Sequence, residues 1–123
     1  MKTTAQAEIM IVEDDKVAAM DIKAMVERLG HRVCAMVSSG EEALESLKEI
    51  RPDLILMDIV LNGEIDGIEA VAAIMEVLDI PVIYITAYTD EATRKRARKT
   101  AANGFLAKPV DPAALEAAIQ KAL

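Results

Sequence analysis

The sequence contains few cysteine, histidine and aromatic residues, and these low counts exclude or disfavour several kinds of functional site. The single cysteine, Cys34, excludes an internal disulfide framework and a thiolate zinc site, and it is typical of a reducing cytoplasm. Aromatic residues make up only 2% of the chain, which disfavours a stacking platform for single-stranded nucleic acid. No apolar run approaches the ~20 residues of a membrane span, and residues 1–8 lack the apolar stretch of a signal peptide. We therefore expect a cytoplasmic protein with no membrane partner.

What the chain does contain is enough apolar side chain for one core. Apolar residues form 53% of its 123 residues, and this length suits a single domain. We expect the domain to cover residues 8–123, after a short N-terminal extension of residues 1–7. With 14 basic and 21 acidic residues the net charge is −7, a poor match to a phosphate backbone, so direct nucleic-acid binding is not expected.

Five short apolar runs predict five β-strands. Four of them are continuous stretches of Ile, Val, Leu and Met with little alternation, which is typical of strands buried on both faces of a parallel sheet. The fifth run is shorter and its signal is weaker. The runs cover residues 8–12, 32–37, 54–57, 81–86 and 104–107.

The segments between the runs have the apolar spacing of amphipathic helices, with capping or breaking residues at their ends. The predicted helices cover residues 16–29, 41–50, 67–78, 91–102 and 112–122. Regular alternation of strand and helix requires crossover connections, and therefore a parallel sheet covered on both faces. The sequence thus predicts an α/β fold, a doubly wound five-stranded parallel sheet of flavodoxin-like order 2-1-3-4-5. The first and last helices should lie on one face and the middle three on the other.

Polar side chains follow the strand ends at which such a sheet carries its functional crevice. Strands one and three are neighbours in the predicted order, so their acidic residues should face each other. Carboxylates crowded in this way repel each other, and their oxygens are ligands that Mg²⁺ prefers. The residues concerned are Glu13, Asp14 and Asp15 after strand one, Asp58 after strand three, Thr86 at the end of strand four, and Lys108 after strand five.

This combination of groups indicates phosphoryl transfer through an aspartyl phosphate. Asp58 would be the nucleophile beside Mg²⁺, while Lys108 and Thr86 would hold the phosphoryl oxygens. ATP is disfavoured as the donor, because the sequence has no glycine-rich phosphate loop. The only histidine, His31, is expected in an exposed loop at the far end of strand two, which leaves no Ser/His/Asp set. Asp15 is better placed to cap the next helix than to bind a metal.

Five motifs run through the chain; no single one is specific, but the set VEDD, MD, TA and KP within them, in that order and at those intervals, is very specific. They are IMIVEDD (9–15), PDLILMDI (52–59), DGIEA (66–70), VIYITAY (82–88) and GFLAKPVD (104–111). On these residues the chain closely resembles the receiver domains of two-component response regulators, from Ile9 to Leu123.

The resemblance implies a phosphoacceptor and a metal site. Asp58 would receive a phosphoryl group from a phosphohistidine of a sensor histidine kinase or phosphotransfer protein. Glu13 and Asp14 resemble the family's metal-binding acid pair, with Asp14 as the direct ligand. Asp58 itself and the main-chain carbonyl of Val60 would complete the protein ligands of Mg²⁺.

The resemblance also implies a switch and an output surface. Thr86 and Lys108 would bind the phosphoryl group, and Phe105 takes the position of an aromatic ring that turns inward when Thr86 moves. Plain core packing is the alternative for Phe105. The fourth helix, fifth strand and fifth helix would form the surface for a downstream protein target, an output domain or a homodimer.

The loop after Asp58 departs from the family pattern. The segment IVLNGEIDG is one residue longer than the commonest form and lacks its usual proline. The positions that tune dephosphorylation in the family are Val60 and Tyr88 here. Neither side chain would position an attacking water, so we predict slow self-dephosphorylation.

Cations are concentrated in the run RKRARK, residues 94–99. On an acidic protein such a run indicates either a docking or dimer surface, or a solvated helix face whose charges follow the helix dipole. A solvated face is favoured over nucleic-acid binding.

Three functions are compatible with an aspartate nucleophile beside Mg²⁺. The leading one is a signalling receiver that catalyses only its own phosphorylation and slow dephosphorylation and is otherwise no enzyme. It would be a stand-alone protein or a segment of a longer regulator. The second, a Mg²⁺-dependent phosphatase of the haloacid-dehalogenase type, requires another aspartate where Val60 stands. The third is a docking scaffold that is never phosphorylated, which the complete set of matched site residues disfavours.

Overall fold

A computed structural model describes residues 6–100 and 102–123, and these residues form a five-stranded parallel sheet flanked by helices. The strand order is β2-β1-β3-β4-β5, which confirms the predicted order and the doubly wound α/β class. Four strands have the predicted bounds, and β4 begins one residue later because Pro81 has no N–H to donate to the ladder. The strands are β1 (Glu8–Val12), β2 (Arg32–Val37), β3 (Leu54–Met57), β4 (Val82–Thr86) and β5 (Gly104–Ala107).

Five helices connect and follow the strands, and the first four end earlier than the sequence predicts, the first of them by only one residue. They are α1 (Lys16–Arg28), α2 (Gly40–Ser46), α3 (Gly67–Met75), α4 (Glu91–Arg98) and α5 (Pro112–Ala122). The predicted ends at residues 50, 78 and 102 are wrong. After α2, α3 and α4 the next backbone N–H groups donate to carbonyls three residues back, as Lys48 does to Glu45, and this tighter turn stops the α-helix. Residue 101, inside the predicted fourth helix, lies outside the described residues.

Aspartates cap four of the five helices. The Asp15 carboxylate accepts hydrogen bonds from the N–H groups of Val17 and Ala18, which confirms its capping role. The other aspartate caps are Asp66, Asp90 and Asp111, and Ser39 caps α2. Each cap satisfies one or two of the otherwise unpaired N–H groups of a first helical turn.

The core has two layers, one on each face of the sheet. Side chains of α2, α3 and α4 pack with one set of strand residues, and those of α1 and α5 pack with the other, as predicted. The strands alternate between the layers, so Met10 and Met57 lie in the first, while Ile9 and Leu56 lie in the second. Both faces of the central strands are therefore buried, which explains their uninterrupted apolar sequences.

The expectation that His31 is an exposed loop residue is wrong. Its side chain is buried, and Nδ1 accepts a hydrogen bond of 3.0 Å from the N–H of Ala7. Ala7 is itself buried in the layer of α1 and α5, although the sequence analysis assigns it to the N-terminal extension. Residues 1–5 of that extension lie outside the described residues. Among the helices that the structure describes, none combines the length and apolar character needed to cross a bilayer.

Candidate functional site

Three carboxylates meet at the carboxyl ends of β1 and β3. The two strands pair in parallel, and the backbone N–H of Asp58 donates to the carbonyl of Val12 at 2.9 Å. This register places Asp58 beside the residues that follow β1. Carboxylate oxygens of Glu13, Asp14 and Asp58 lie within 4.8 Å of one another, as the strand order predicted. Asp15, the fourth acidic candidate, turns instead to its helix cap.

Lys108 reaches this acidic cluster from the end of β5. Its backbone N–H donates to the carbonyl of Thr86 at 2.9 Å, which fixes the start of its side chain beside the crevice. The ammonium donates to Asp58 Oδ2 at 2.9 Å and also to Glu13 Oε1. Glu13 and Asp58 are both buried, with relative exposures of 5% and 6%. One cation therefore bridges two buried carboxylates.

The contacts of Lys108 also determine its charge state. Burial alone would lower the pKa of its ammonium, but the hydrogen bonds that the ammonium donates to Glu13 and Asp58, together with the charges of these carboxylates, outweigh burial and raise the pKa above 10.5. Lys108 is consequently a cation at neutral pH.

The donor set suits a hard divalent cation. It consists of oxygen atoms only, and three carboxylates against one ammonium leave a local charge of 1 − 3 = −2. Asp14 is the most accessible of the three acids, while the second oxygen of Glu13 accepts the N–H of Asp15 at 3.1 Å. Mg²⁺ in proteins is commonly bound by one or two carboxylates and keeps several water ligands. Accessible carboxylates at the carboxyl ends of strands therefore suit this ion.

Thr86 is the last residue of β4, at the carboxyl end of the strand that pairs with β3. Its side chain is fully buried, and Oγ1 accepts a hydrogen bond of 3.1 Å from the N–H of Tyr88. Among the described residues, no hydrogen bond joins the Thr86 hydroxyl to Asp58 or Lys108. Because Oγ1 acts as the acceptor in that hydrogen bond, the bond leaves the hydroxyl proton of Thr86 available for donation.

The ring of Phe105 is half-buried between the sheet and α4. It packs at 59° to the ring of Tyr84 with centroids 6.3 Å apart, and the Arg94 guanidinium lies 4.9 Å from its centroid. A cation at this distance from an aromatic face is attracted by the ring quadrupole. The sequence analysis missed this role of Arg94, because a basic run does not reveal which cation faces the sheet.

A cavity of about 290 Å³ lies beside Phe105, with Tyr84, Ala97 and Thr100 among its lining residues. Burial raises the pKa of the Tyr84 phenol to about 12, although its hydrogen bond with Thr100 acts in the opposite direction. The phenol therefore stays neutral and links β4 to the segment after α4.

The loop after Asp58 returns to pack against the backbone of Asp58. The N–H of Gly67 donates to the carbonyl of Ile59 at 2.7 Å, at the start of α3. A Cβ on Gly67 would lie 2.0 Å from the carbonyl oxygen of Asp58, so only glycine allows this approach. The side chain of Val60 is 46% exposed at the outer side of the same loop. The sequence analysis quoted Gly67 within a motif but did not find this packing role.

Replacing Gly67 should disturb the backbone at the end of β3, where Asp58 lies. We expect Gly67→Ala to lower the free energy of unfolding by about 1–3 kcal/mol, because the new methyl group must displace backbone atoms. Chemical denaturation of the two proteins measures the difference. Gly104→Ala is the control, since its Cβ would meet its nearest neighbour, a carbon of Ile83, at 3.4 Å. Equal losses in the two variants would contradict the role assigned to Gly67.

A family model and several curated proteins match this chain, and they indicate the same family. A family model described as "Response regulator receiver domain" matches residues 9–120. The chemotaxis protein CheY of Thermotoga maritima is 32% identical over 114 residues, which are 92% of this chain and 94% of CheY. The regulator PhyR of Methylorubrum extorquens is 39% identical over 117 residues, 94% of this chain but only 43% of PhyR. The chain spans about half the length, 43%, 50% and 48%, of the first three curated relatives.

Solved structures agree with these relatives. The receiver domain of a modulated diguanylate cyclase from Desulfovibrio desulfuricans superposes with a TM-score of 0.89 at 36% identity, over 96% of this chain and 94% of the other. The receiver domain of a sensor histidine kinase from Pseudomonas aeruginosa has a TM-score of 0.86 at 35% identity, over 96% and 98%. That structure was solved with a magnesium ion coordinated in its active-site cleft.

Proposed function

The chain belongs to the response regulator receiver domain family, and from this premise we propose that it is a signalling switch phosphorylated on Asp58. The observation that carries the proposal is the Lys108 ammonium, which bridges Asp58 and Glu13 while Asp14 lies within 4.8 Å. The proposed nucleophile Asp58, the cation of Lys108 and the acid pair proposed for a metal therefore lie together at the carboxyl end of the sheet. We propose the acceptor, the metal ligands and the switch residues at the positions that the sequence predicts.

The transfer step needs a donor with a good leaving group. An oxygen of Asp58 attacks the phosphorus of a phosphohistidine on a kinase or phosphotransfer partner, the P–N bond breaks, and the imidazole leaves with its electron pair. Lys108 already holds Asp58 Oδ2, so it is positioned to stabilise charge on the incoming phosphoryl oxygens.

Mg²⁺ is proposed as the cofactor of this step. Glu13, Asp14 and Asp58 would hold it together with the carbonyl of Val60, and when bound it neutralises negative charge on the phosphoryl group. The magnesium-bearing receiver of Pseudomonas aeruginosa supports this assignment by its similarity.

The proposed switch acts through Thr86 and Phe105. Thr86 would move toward the phosphoryl group and donate its hydroxyl proton to one of the phosphoryl oxygens, since the hydrogen bond from the N–H of Tyr88 uses Oγ1 only as an acceptor. Phe105 must then leave the contact with Arg94 as its ring turns inward. Both changes alter the surface of α4, β5 and α5, which we propose as the site for a downstream target, an output domain or a second copy.

One assay separates this proposal from its two alternatives. The protein is incubated with acetyl phosphate or beryllium fluoride, with and without Mg²⁺, and its intact mass and amide spectrum are recorded. We expect a stable Mg²⁺-dependent adduct on one aspartate, accompanied by spectral changes in α4 and β5. Continuous turnover of phosphate esters would instead support a phosphatase, and the absence of any response would support a scaffold.

The phosphorylated form should be long-lived. Val60 and Tyr88 are 46% and 53% exposed, and neither side chain offers a base to an attacking water. We expect Val60→Asn to shorten the half-life about tenfold, since one hydrogen bond of ~1.4 kcal/mol corresponds to that change in rate. Loss of the adduct mass with time measures both proteins. A half-life of seconds for the unmodified chain would contradict this prediction.

A further inference from the structure

One carboxylate of α2 contacts the loop that follows Asp58. Glu41 Oε2 accepts a hydrogen bond of 2.8 Å from the backbone N–H of Glu64, 23 residues away in sequence. This hydrogen bond and those from the backbone of Glu41 itself and of Ile65 lower the pKa of Glu41, against a small opposing effect of desolvation. Glu41 is therefore held as a carboxylate by main-chain donors of the loop.

The loop has the backbone shape that this contact requires. Gly63 has a φ of +103°, a conformation that disfavours residues with a side chain. A Cβ at Gly63 would also lie 2.5 Å from Glu41 Oε1, so the carboxylate occupies the space that a side chain would need. An isolated parallel bridge pairs Ser39 with Asn62 immediately before this contact. Successive N–H groups beside a residue with positive φ form a concave binding site for an anion.

The loop is consequently fixed at both ends. At its start, the carbonyl of Ile59 accepts the N–H of Gly67, and Asp58 is hydrogen-bonded to β1. At its far end, Asn62 and Glu64 are held by the segment that begins α2. Only Val60 and the residue after it lie between the two fixed points.

We propose that Glu41 is a positioning residue that clamps this loop and so holds the carbonyl of Val60 in place for Mg²⁺. The inference rests on the proposed function, because it takes the Val60 carbonyl as a metal ligand. It also accounts for the lengthened loop, since Gly63 and Glu64 supply the conformation and the N–H group that bind the carboxylate. The clamp acts on metal affinity rather than on the phosphoryl-transfer step.

Three variants test the clamp. Glu41→Ala removes the acceptor, Glu41→Gln keeps an acceptor but removes the charge, and Glu45→Ala removes the same charge from an exposed residue paired only with Lys48. Mg²⁺ is titrated into each protein and its Kd is measured from the backbone amide signals. The rate of phosphorylation by acetyl phosphate is then measured at saturating Mg²⁺.

We expect Glu41→Ala to raise the Kd for Mg²⁺ about tenfold, as replacing a residue that orients a metal ligand commonly does. Its rate at saturating Mg²⁺ should remain close to that of the original protein, and Glu41→Gln should restore most of the affinity. A normal Kd in Glu41→Ala would overturn the clamp. Equal weakening in the Ala and Gln variants would overturn it as well, because charge alone would then explain the effect.

Measurements on the original chain and on Glu45→Ala show whether a negative result rejects only the clamp or also the proposed function. If the original chain binds Mg²⁺ and accepts a phosphoryl group, a negative result for Glu41→Ala rejects only the clamp. If the original chain does neither, the proposed function is rejected, and the clamp with it. Glu45→Ala should match the original protein in both measurements, and a loss equal to that of Glu41→Ala would reject a specific role for Glu41.

Discussion

Asp58→Asn is expected to abolish Mg²⁺-dependent phosphoryl uptake while the fold remains intact. An amide is no nucleophile at phosphorus, so the rate of uptake from acetyl phosphate should fall by more than about a thousandfold. The substitution also removes one of three crowded carboxylates, which relieves repulsion, so the free energy of unfolding should fall by no more than about 1 kcal/mol. Intact mass after incubation measures uptake, and thermal denaturation measures stability.

Asp15→Asn is the matched control for this substitution. It removes the same charge two residues after Glu13, but Asp15 caps α1 and its carboxylate accepts the N–H groups of Val17 and Ala18. Asparagine caps helices about as well as aspartate, so this variant should be stable and should accept phosphoryl groups normally. If Asp58→Asn takes up phosphoryl groups as fully as the original protein, the acceptor is another residue and the proposed function is contradicted.

Lys108→Ala should have two large effects. Loss of its ammonium should reduce the phosphorylation rate about 10²–10³-fold, the usual cost of removing one group that stabilises charge in the transition state. It should also lower the free energy of unfolding by ~2–3 kcal/mol without Mg²⁺, because Glu13 and Asp58 remain buried without their cation. Added Mg²⁺ should restore much of that stability. Lys48→Ala, which removes an exposed lysine, is the control for both measurements.

The pH dependence of stability gives Lys108→Ala a further signature. The pKa of Lys108 is raised in the folded protein, so its contribution to stability is fully present below its ordinary value of 10.5. That contribution is lost as the pH rises through the raised value. The difference in unfolding free energy between the original protein and the variant should therefore be constant from neutral pH to about 10 and shrink above it. A difference that already shrinks near neutral pH would contradict the bridging role of Lys108.

Much of the fold could be predicted because local chemistry and burial indicate the same elements. Continuous apolar strands, aspartate caps and regular alternation are sufficient for the strand order and for bringing Asp58 to the end of β1. The ends of the helices were harder to predict. The turn that ends α2 depends on backbone hydrogen bonds to carbonyls three residues back and not on a helix-breaking residue.

Contacts between distant segments were the main part of the site that sequence reasoning missed. Nothing in the spacing of Glu41 and Glu64 indicates that one accepts the other's N–H, because the contact depends on the path of a loop. The stacking of Arg94 on Phe105 depends on how α4 packs against the sheet, and a run of cations does not indicate which of them contacts a ring on β5. The burial of His31 likewise depends on Ala7, which precedes the first strand.

The uneven attachment of two neighbouring helices has a consequence for signalling. Five of the nine residues of α3 are buried, and its first residue lies against the backbone of Asp58, whereas α4 buries Ala97 alone among its eight residues. Displacing a helix costs free energy roughly in proportion to the apolar surface exposed, so α4 is the cheaper helix to shift. We therefore expect α3 to stay in place, and we expect a rearrangement that begins at Asp58 to displace α4, which carries four cations and is held by less buried surface.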